Sequence, residues 1–252
     1  MTEPTVRTFD DAAALVATAA DDVVAVIEAA QAERGFASIV LTGGTNGNAL
    51  SAALREKVID WSRVDVFFGD ERFVAGDDPD RNVLQAEDAL LAHVPIPDAN
   101  VYRFPASDEF SGDGELAARV YAKRLADNAA ARGNAVRVGA ATVPRFDLHL
   151  LGMGGEGHIN SLFPHTDAVR ETEEPVVSVR DSPKPPPRRL TLTLPAVAAA
   201  RRVWFLVSGT DKAEAVAAGV GGASPEDWPC AGAHGSEATV WYLDGAAASR
   251  LG

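Results

Sequence analysis

Blocks of hydrophobic and polar positions along the chain predict helices that alternate with short buried strands. In the first block, apolar residues recur at helical spacing from an N-cap at Asp10 or Asp11 to about Arg34, and Gly35 follows as a stop signal. Later blocks predict helices over 49–59, 81–93, 113–132 and from about 210, and strands over 38–41, 64–68, 102–104, 146–151, 176–179, 190–194, 203–207 and 239–243.

Strands that alternate with helices predict an α/β protein with a mainly parallel, layered sheet flanked by helices. The 252 residues can bury a large core, and we predict a single α/β domain over 1–252. Ligands bind such sheets at the carboxyl ends of the strands. Polar or glycine-rich segments follow Leu41, Phe68, Leu151 and Val207, so we expect the functional site at that edge.

The charge balance narrows the class of partner. The chain has 36 acidic and 23 basic residues and a formal net charge of −13. Nucleic acid and anionic membranes bind basic surfaces, so we expect neither as a partner. A small anionic substrate is compatible with this charge, because a few Arg and Lys side chains in one cleft can bind it locally.

The number of cysteines and the hydropathy of the chain indicate its cellular compartment. Cys230 is the only cysteine, which excludes an intrachain disulfide and favours a cytoplasmic protein. The first residues show neither the basic nor the apolar region of a secretory signal. No apolar run approaches the roughly 20 residues that span a bilayer. We therefore expect a cytoplasmic protein.

A first glycine-rich segment, TGGTNGN over 42–48, follows a predicted strand. Gly43 and Gly44 would present bare N–H groups at a helix N-terminus, where a phosphate can bind, and Thr45 beside them is a further candidate ligand. A plain tight turn explains the same residues equally well. No Gly-Lys-Ser/Thr follows, so the segment is not a P-loop.

A second glycine-rich segment, GMGGEGH over 152–158, has two interpretations. It matches the dinucleotide fingerprint G-x-G-x-x-G, and Asp181 follows at about the distance of a ribose-binding acid. It also ends in His158, which can move a proton near neutral pH. Pro164 limits the following helix to about two turns, which is short for the fingerprint, so we favour a catalytic histidine. A structural histidine is the alternative.

Charged residues follow other predicted strands. Asp70 and Arg72 in GDERF precede a loop rich in turn-forming residues, which favours side chains held over a cleft, although a solvated loop has the same composition. Arg189 ends the proline-rich stretch SPKPPPRR, where the chain enters a strand, and either points into the cleft or flanks it. Lys212 begins a helix, where a cation is unfavourable unless an anion binds there or the side chain faces solvent.

Several common site types lack their residues in this sequence. It contains no Gly-x-Ser-x-Gly elbow, no His-Glu-x-x-His motif and no pair of cysteines. His149, His158 and His165 match no zinc spacing rule. We therefore expect neither a serine acyl-enzyme nor a metal site, and no cofactor.

Taken in order, these segments resemble the 6-phosphogluconolactonase family over nearly the whole chain. The resemblance implies a Rossmann-like fold of the glucosamine-6-phosphate deaminase type. It also implies hydrolysis of 6-phospho-D-glucono-1,5-lactone to 6-phospho-D-gluconate, the second step of the oxidative pentose phosphate pathway. For the assembly we expect a monomer or weak dimer. The matching motifs are the glycine turn after the first strand, GDERFV with DDPDRN, LGMGGEGH with SLFP, KPPPRRLTLTLP, and SGTDKAEAV.

By position, the resemblance makes His158 the general base that activates water. A lactone is an activated ester, and histidine has an ordinary pKa of about 6.5, so this chemistry needs neither a metal nor a covalent intermediate. Asp70 and Arg72 become active-site residues. Arg72 is the candidate that stabilises the oxyanion, and orienting His158 through Asp70 or through Glu156, a further candidate catalytic residue, is equally possible.

The resemblance assigns the phosphate of the substrate to Arg189, Lys212 and the Gly43–Gly44 turn. Two positions depart from the family pattern. Glu156 stands where G-x-D-G-H has Asp, so the orientation of a longer carboxylate is open, and Ile159-Asn160 replaces the commoner Thr-Ala pair.

Two other functions remain as alternatives. An amino-sugar-phosphate deaminase or isomerase would use a carboxylate base, for which Asp70 is a candidate. A non-catalytic sugar-phosphate sensor would pair this domain with a DNA-binding segment, and none precedes the predicted sheet while the net charge opposes DNA.

Overall fold

A computed structural model describes residues 3–252 of the chain as alternating helices and strands. None of its helices over these residues is long and apolar enough to cross a membrane. The helices are α1 Ala12–Arg34, α2 Gly44–Leu54, α3 Asn82–Ala89, α4 Gly114–Arg132, α5 Asp167–Arg170, α6 Leu194–Ala198 and α7 Ala213–Val220. The strands are β1 Thr5–Phe9, β2 Ala37–Leu41, β3 Val64–Phe68, β4 Asp70–Arg72, β5 Ala135–Val138, β6 Ala141–Pro144, β7 Leu148–Leu151, β8 Val176–Val179, β9 Arg189–Leu192, β10 Arg202–Val207 and β11 Ala238–Asp244.

The central sheet has six strands in the order β1-β11-β10-β7-β2-β3, and every neighbouring pair is parallel. β2, β3 and β7 are buried at every residue, as is usual for parallel strands covered on both faces. The predicted fold class, a mainly parallel layered α/β sheet, is therefore confirmed. The carboxyl ends of β2, β3, β7 and β10 lie at one edge of this sheet.

A second, separate sheet of three antiparallel strands in the order β4-β9-β8 lies beside the central one. The sequence pattern predicted β8 and β9 but did not separate them from the parallel sheet, and it missed the three-residue strand β4. In this small sheet Asp70 pairs with Thr191 and Arg72 with Arg189. The pairing brings GDERF beside the end of the proline-rich stretch.

Capping residues set the ends of the two longest helices where the sequence predicts them. The Asp11 carboxylate accepts a hydrogen bond from the Ala14 N–H at 2.8 Å, and Gly35 ends α1 with a left-handed φ of 83°. Asp113 caps α4 in the same way, accepting from the Leu116 N–H at 3.0 Å. The predicted bounds of both helices are confirmed to within two residues.

Three predicted elements differ from the structure. Residues 102–104 form no strand, because only Val101 bridges to the central sheet, opposite Val66. The predicted helix 49–59 in fact begins at Gly44, so the first glycine-rich segment forms its first turn. The short helix expected after His158 does not form, because Ile159 and Leu162 pair in a tight bridge instead. The strand β1 and the hairpin β5–β6 were not predicted.

An ion pair with a buried carboxylate attaches α4 to the central sheet. Asp65 on β3 is completely buried and accepts two hydrogen bonds from the Arg132 guanidinium, both at 2.7 Å. Asn128 on the same helix donates a third at 3.0 Å. All three donors come from the carboxyl-terminal half of α4, so this contact fixes one end of that helix against β3.

Candidate active site

The polar segments at the carboxyl ends of the central strands surround two adjacent cavities. We call the first, of about 160 Å³, the His158 cavity; its wall includes Asp70, Arg72, His158 and Arg189. We call the second, of about 210 Å³, the Lys212 cavity; its wall includes Thr45 and Lys212. Gly43, Gly44, Gly152 and Met153 line both. Because they share these four residues, the two cavities form one cleft.

His158 and Glu156 form a hydrogen-bonded pair beside the His158 cavity. Nδ1 of His158 lies 3.0 Å from Oε1 of Glu156, and the imidazole stacks on Phe163 with 4.4 Å between ring centroids. The hydrogen bond with His158 and, to a smaller extent, the hydrogen bond from Lys184 hold the pKa of Glu156 well below its usual range. The carboxylate is thus ionised and accepts a hydrogen bond from the N–H at Nδ1. In the neutral tautomer that donates this bond, the lone pair of the imidazole lies on Nε2.

The glycines of the second segment make room for this histidine. A Cβ at Gly154 would stand 2.0 Å from Nδ1 of His158, and the Gly154 N–H donates to the His158 carbonyl at 3.0 Å. Gly157 has a φ of 78°, which favours glycine. The segment is a tight turn that delivers His158 to the cleft.

Asp70, at the start of β4, lines the same cavity as His158 and makes several hydrogen bonds. Its Oδ2 accepts from the Ser161 hydroxyl at 2.6 Å, and its Oδ1 accepts from the Asn82 amide at 3.0 Å. Nη1 of Arg189 lies 3.9 Å from Oδ2. These contacts fix the carboxylate at the wall of the cavity. Ser161 and Asn82 were not among the predicted site residues, although Ser161 lies in the motif SLFP and Asn82 in the motif DPDRN.

Arg72 is held by the loop that follows it. Its Nη1 donates to the Asp80 carbonyl at 2.7 Å and to Oδ1 of Asn82 at 2.8 Å. Neither Asp70 nor Glu156 is among its hydrogen-bond partners. The geometry thus gives Arg72 the position of a fixed positive charge at the cavity wall.

Glu71, which the sequence analysis overlooked, supports this arrangement from beneath. It is fully buried and accepts backbone N–H bonds from Asn82 at 2.6 Å, Arg72 at 2.8 Å and Val83 at 3.0 Å. Burial raises the pKa of Glu71 to about 7, against the opposing effects of these N–H groups and of Arg81. A charged residue inside a polar motif gives no sign of burial, so only the structure could assign this role.

Arg189 is nearly buried, with 7% of its side chain exposed, and most of its donors are occupied. Nε donates to the Pro186 carbonyl at 2.7 Å, and Nη2 donates to the carbonyls of Pro185 at 3.0 Å and Lys184 at 3.1 Å. Nη1 remains on the side of Asp70. Arg189 thus points into the cleft, the first of its two predicted placements, and it also fastens the proline-rich loop.

The Lys212 cavity lies at the N-terminus of α2. Asn46 crosses from that helix to β10, donating to the Leu206 carbonyl at 3.2 Å and the Ser208 hydroxyl at 3.0 Å. The ammonium of Lys212 pairs with Asp211 at 3.0 Å on the other wall. Backbone N–H groups, a helix dipole and a lysine therefore surround a space that suits an anion. Arg189 and Lys212, grouped by the resemblance, line different cavities.

The geometry of residues 3–252 matches neither a dinucleotide-binding fingerprint nor a metal site. The helix that a dinucleotide fingerprint needs after Gly157 is absent there, and Asp181 lines a separate cavity beside β8. No cluster of three metal-binding side chains occurs over the same residues. His149 is fully buried, and burial lowers its pKa to about 3.

A histidine–carboxylate pair and several cations at the strand ends of a parallel α/β sheet form a candidate active site for a small anionic substrate. Over residues 10–241 the chain matches the family described as glucosamine-6-phosphate isomerases/6-phosphogluconolactonase. It is similar to the 6-phosphogluconolactonase of Mycobacterium tuberculosis, with 53% identity over 98% of each chain. Its similarity to the enzyme of that name from Streptomyces coelicolor is 50%, over 92% of this chain and 89% of the other.

Solved structures agree with the sequence relatives. The 6-phosphogluconolactonase from Trypanosoma cruzi superimposes with a TM-score of 0.84 at 27% identity, covering 99% of this chain and 97% of that one. The chain therefore belongs to the glucosamine-6-phosphate isomerase/6-phosphogluconolactonase family. The family expected from the sequence motifs is confirmed.

Proposed function

We propose that this protein hydrolyses 6-phospho-D-glucono-1,5-lactone to 6-phospho-D-gluconate, with His158 as general base. The function as a lactone hydrolase of the pentose phosphate pathway is supported by the names and high identity of the curated relatives. The observation that carries the role of His158 is its pairing with Glu156 at the edge of the His158 cavity.

The mechanism follows from the proton positions at the pair. Nδ1 keeps its proton and donates it in a hydrogen bond to the Glu156 carboxylate. Nε2 therefore takes a proton from water as the water oxygen attacks the lactone carbonyl. The tetrahedral intermediate then breaks its bond to the ring oxygen, and the imidazolium returns the proton to that oxygen. The products are the carboxylic acid, which loses its proton to solvent, and the hydroxyl of the open chain.

The cations of the cleft supply electrostatic stabilisation in this proposal. Arg72 and Arg189 stand at the cavity of the base, where negative charge develops on the carbonyl oxygen. The N-terminus of α2 at Gly43, Gly44 and Thr45, together with Lys212, binds the phosphate in the adjacent cavity. Arg189 lines the His158 cavity, so its location favours contact with the lactone end of the substrate. The resemblance to the family had instead assigned Arg189 to the phosphate.

We also propose that the protein works in the cytoplasm as a monomer or weak dimer. The support for the compartment is compositional, because a chain with the single cysteine Cys230 suits a reducing environment.

Substrate selectivity tests this function. The purified protein should release protons from 6-phosphogluconolactone faster than spontaneous hydrolysis, followed in a lightly buffered solution with a pH indicator. Glucosamine 6-phosphate should yield no ammonia under the same conditions. Ammonia release without lactone hydrolysis would instead assign the chain to the deaminase side of its family.

A further inference from the structure

Lys184, in the proline-rich loop between β8 and β9, makes direct contact with the catalytic pair. Its ammonium lies 2.8 Å from Oε1 and 3.1 Å from Oε2 of Glu156. It also lies 3.5 Å from Nδ1 of His158. Three charged or titratable groups from two distant segments thus meet at one point. Neither the sequence motifs nor the mechanism above gives this lysine a role.

The backbone of Lys184 is fixed, so the contact is built into the loop. The Ser182 hydroxyl donates to the Lys184 carbonyl at 3.0 Å and accepts from the Lys184 N–H at 3.3 Å. The buried guanidinium of Arg189 donates to the same carbonyl at 3.1 Å. Arg189 therefore holds, through one loop, the lysine that meets the carboxylate of the pair.

We propose that Lys184 is a positioning residue, whose ammonium holds Glu156 against His158 and opposes protonation of the imidazole. This inference rests on the proposed function, in which His158 must be neutral to accept a proton from water. Glu156 alone would orient the imidazole but would also stabilise its protonated form. The nearby ammonium offsets that second effect while it preserves the first.

Removing Lys184 changes the charge balance at His158 in one direction. It leaves the anion of Glu156 unopposed, and it removes a cation 3.5 Å from Nδ1. Both changes favour the imidazolium. Neutralising Glu156 has the opposite effect, because the cation then remains without its anion. The other charged groups that line this cleft, unchanged in either variant, are Asp70, Arg72, Arg189 and Lys212. Asp211, which pairs with Lys212, is also unchanged.

The test combines an activity profile with a direct titration. Lys184→Met, Lys184→Arg and Glu156→Gln are compared with the wild type, and Lys123→Met serves as matched control, because Lys123 pairs with Asp127 on the exposed face of α4. The pH dependence of kcat/KM for lactone hydrolysis is measured between about pH 5 and 8, after subtraction of spontaneous hydrolysis. The His158 ring signal, assigned by its absence in His158→Ala, is titrated by NMR in each variant without substrate.

Lys184→Met should move both the NMR titration and the acidic limb of kcat/KM upward by about 0.5–1 pH unit. On that limb, the activity of Lys184→Met should fall roughly 3- to 10-fold. This fall is the same shift, because activity on the acidic limb is proportional to the fraction of His158 that is neutral. Glu156→Gln should move the titration downward. Lys184→Arg should stay near the wild type, and Lys123→Met should match it.

An unchanged His158 titration in Lys184→Met overturns the inference. A raised KM with an unmoved titration also overturns it, and would make Lys184 a ligand of the substrate. These outcomes differ from a failure of the proposed function, in which the wild type itself would not hydrolyse the lactone. The NMR titration reports on Lys184 in either case.

Discussion

At the scale of single residues, Glu71 illustrates how one buried carboxylate supports an active site from below. It ties the N-terminus of α3 to β4 through the N–H groups of Asn82 and Arg72. Both of those residues contribute side chains around the His158 cavity. A change in the protonation of Glu71 therefore bears on stability and on the geometry of the site together.

The pKa of Glu71 gives a prediction about stability and pH. Burial raises it from 4.5 to about 7, so the folded state binds a proton more tightly than the unfolded chain. The contribution of Glu71 to the free energy of unfolding should then be greatest below about pH 4.5 and should decline as the pH rises to about 7. In Glu71→Gln this dependence disappears.

Urea unfolding at several pH values measures this effect. The unfolding free energy of the wild type minus that of Glu71→Gln should decrease by roughly 1–3 kcal/mol between about pH 4.5 and 7, in addition to a constant offset from the altered hydrogen bonds. If the difference in unfolding free energy instead grew with pH, the backbone N–H groups and Arg81 would lower the pKa of Glu71 by more than burial raises it.

The sequence indicated the site best through the chemistry of its individual residues. His158, Asp70 and Arg72 follow strand ends within recognisable motifs, and the structure brings them to one cavity. Asn82, the first residue of α3, and Ser161, in a turn, were not predicted as site residues, because a neutral polar residue gives no indication of its partners. Their contacts with Asp70 depend on the meeting of distant segments.

At the scale of elements, the contact of α4 with β3 depends on Asp65. Asp65→Ala should destabilise the protein by about 2–4 kcal/mol, because it leaves Arg132 and Asn128 without their shared acceptor. Since a third of the Arg132 side chain is exposed, this guanidinium can turn to solvent, which lowers the cost below that of a fully buried charge.

Denaturant unfolding of Asp65→Ala, with Asp127→Ala as control, checks this value. Asp127 lies on the exposed face of the same helix and pairs only with Lys123 among its ionic contacts, so its loss should cost at most about 0.5 kcal/mol. Equal effects of the two substitutions would show that the buried pair does not fasten α4.

Elements differed in how far the sequence could predict them. Both ends of α1 carry local signals, Asp11 and Gly35, and its bounds were predicted closely. The pairing of β4 with β9 has no local signal, because a three-residue strand is too short for a periodic pattern and its partner is far away in the chain. The start of α2 was misplaced because glycines usually indicate a turn.

At the scale of the whole molecule, the net charge of −13 contrasts with a cleft that gathers cations. Arg72 and Arg189 line one cavity and Lys212 the next. The order of motifs predicted that these residues share a site, but it did not predict its division in two. That division depends on where the antiparallel sheet lies beside the parallel one, and it suits a substrate with a reactive ring at one end and a phosphate at the other.

The role of His158 as the base of a lactone hydrolase is tested by the rate of lactone hydrolysis in His158→Ala. The control is His165→Ala, whose imidazole is largely exposed and lies outside both cavities. After subtraction of spontaneous hydrolysis, kcat should fall by about 10²–10⁴-fold in His158→Ala and stay near the wild-type value in His165→Ala. Wild-type kcat in a folded His158→Ala protein would contradict the account.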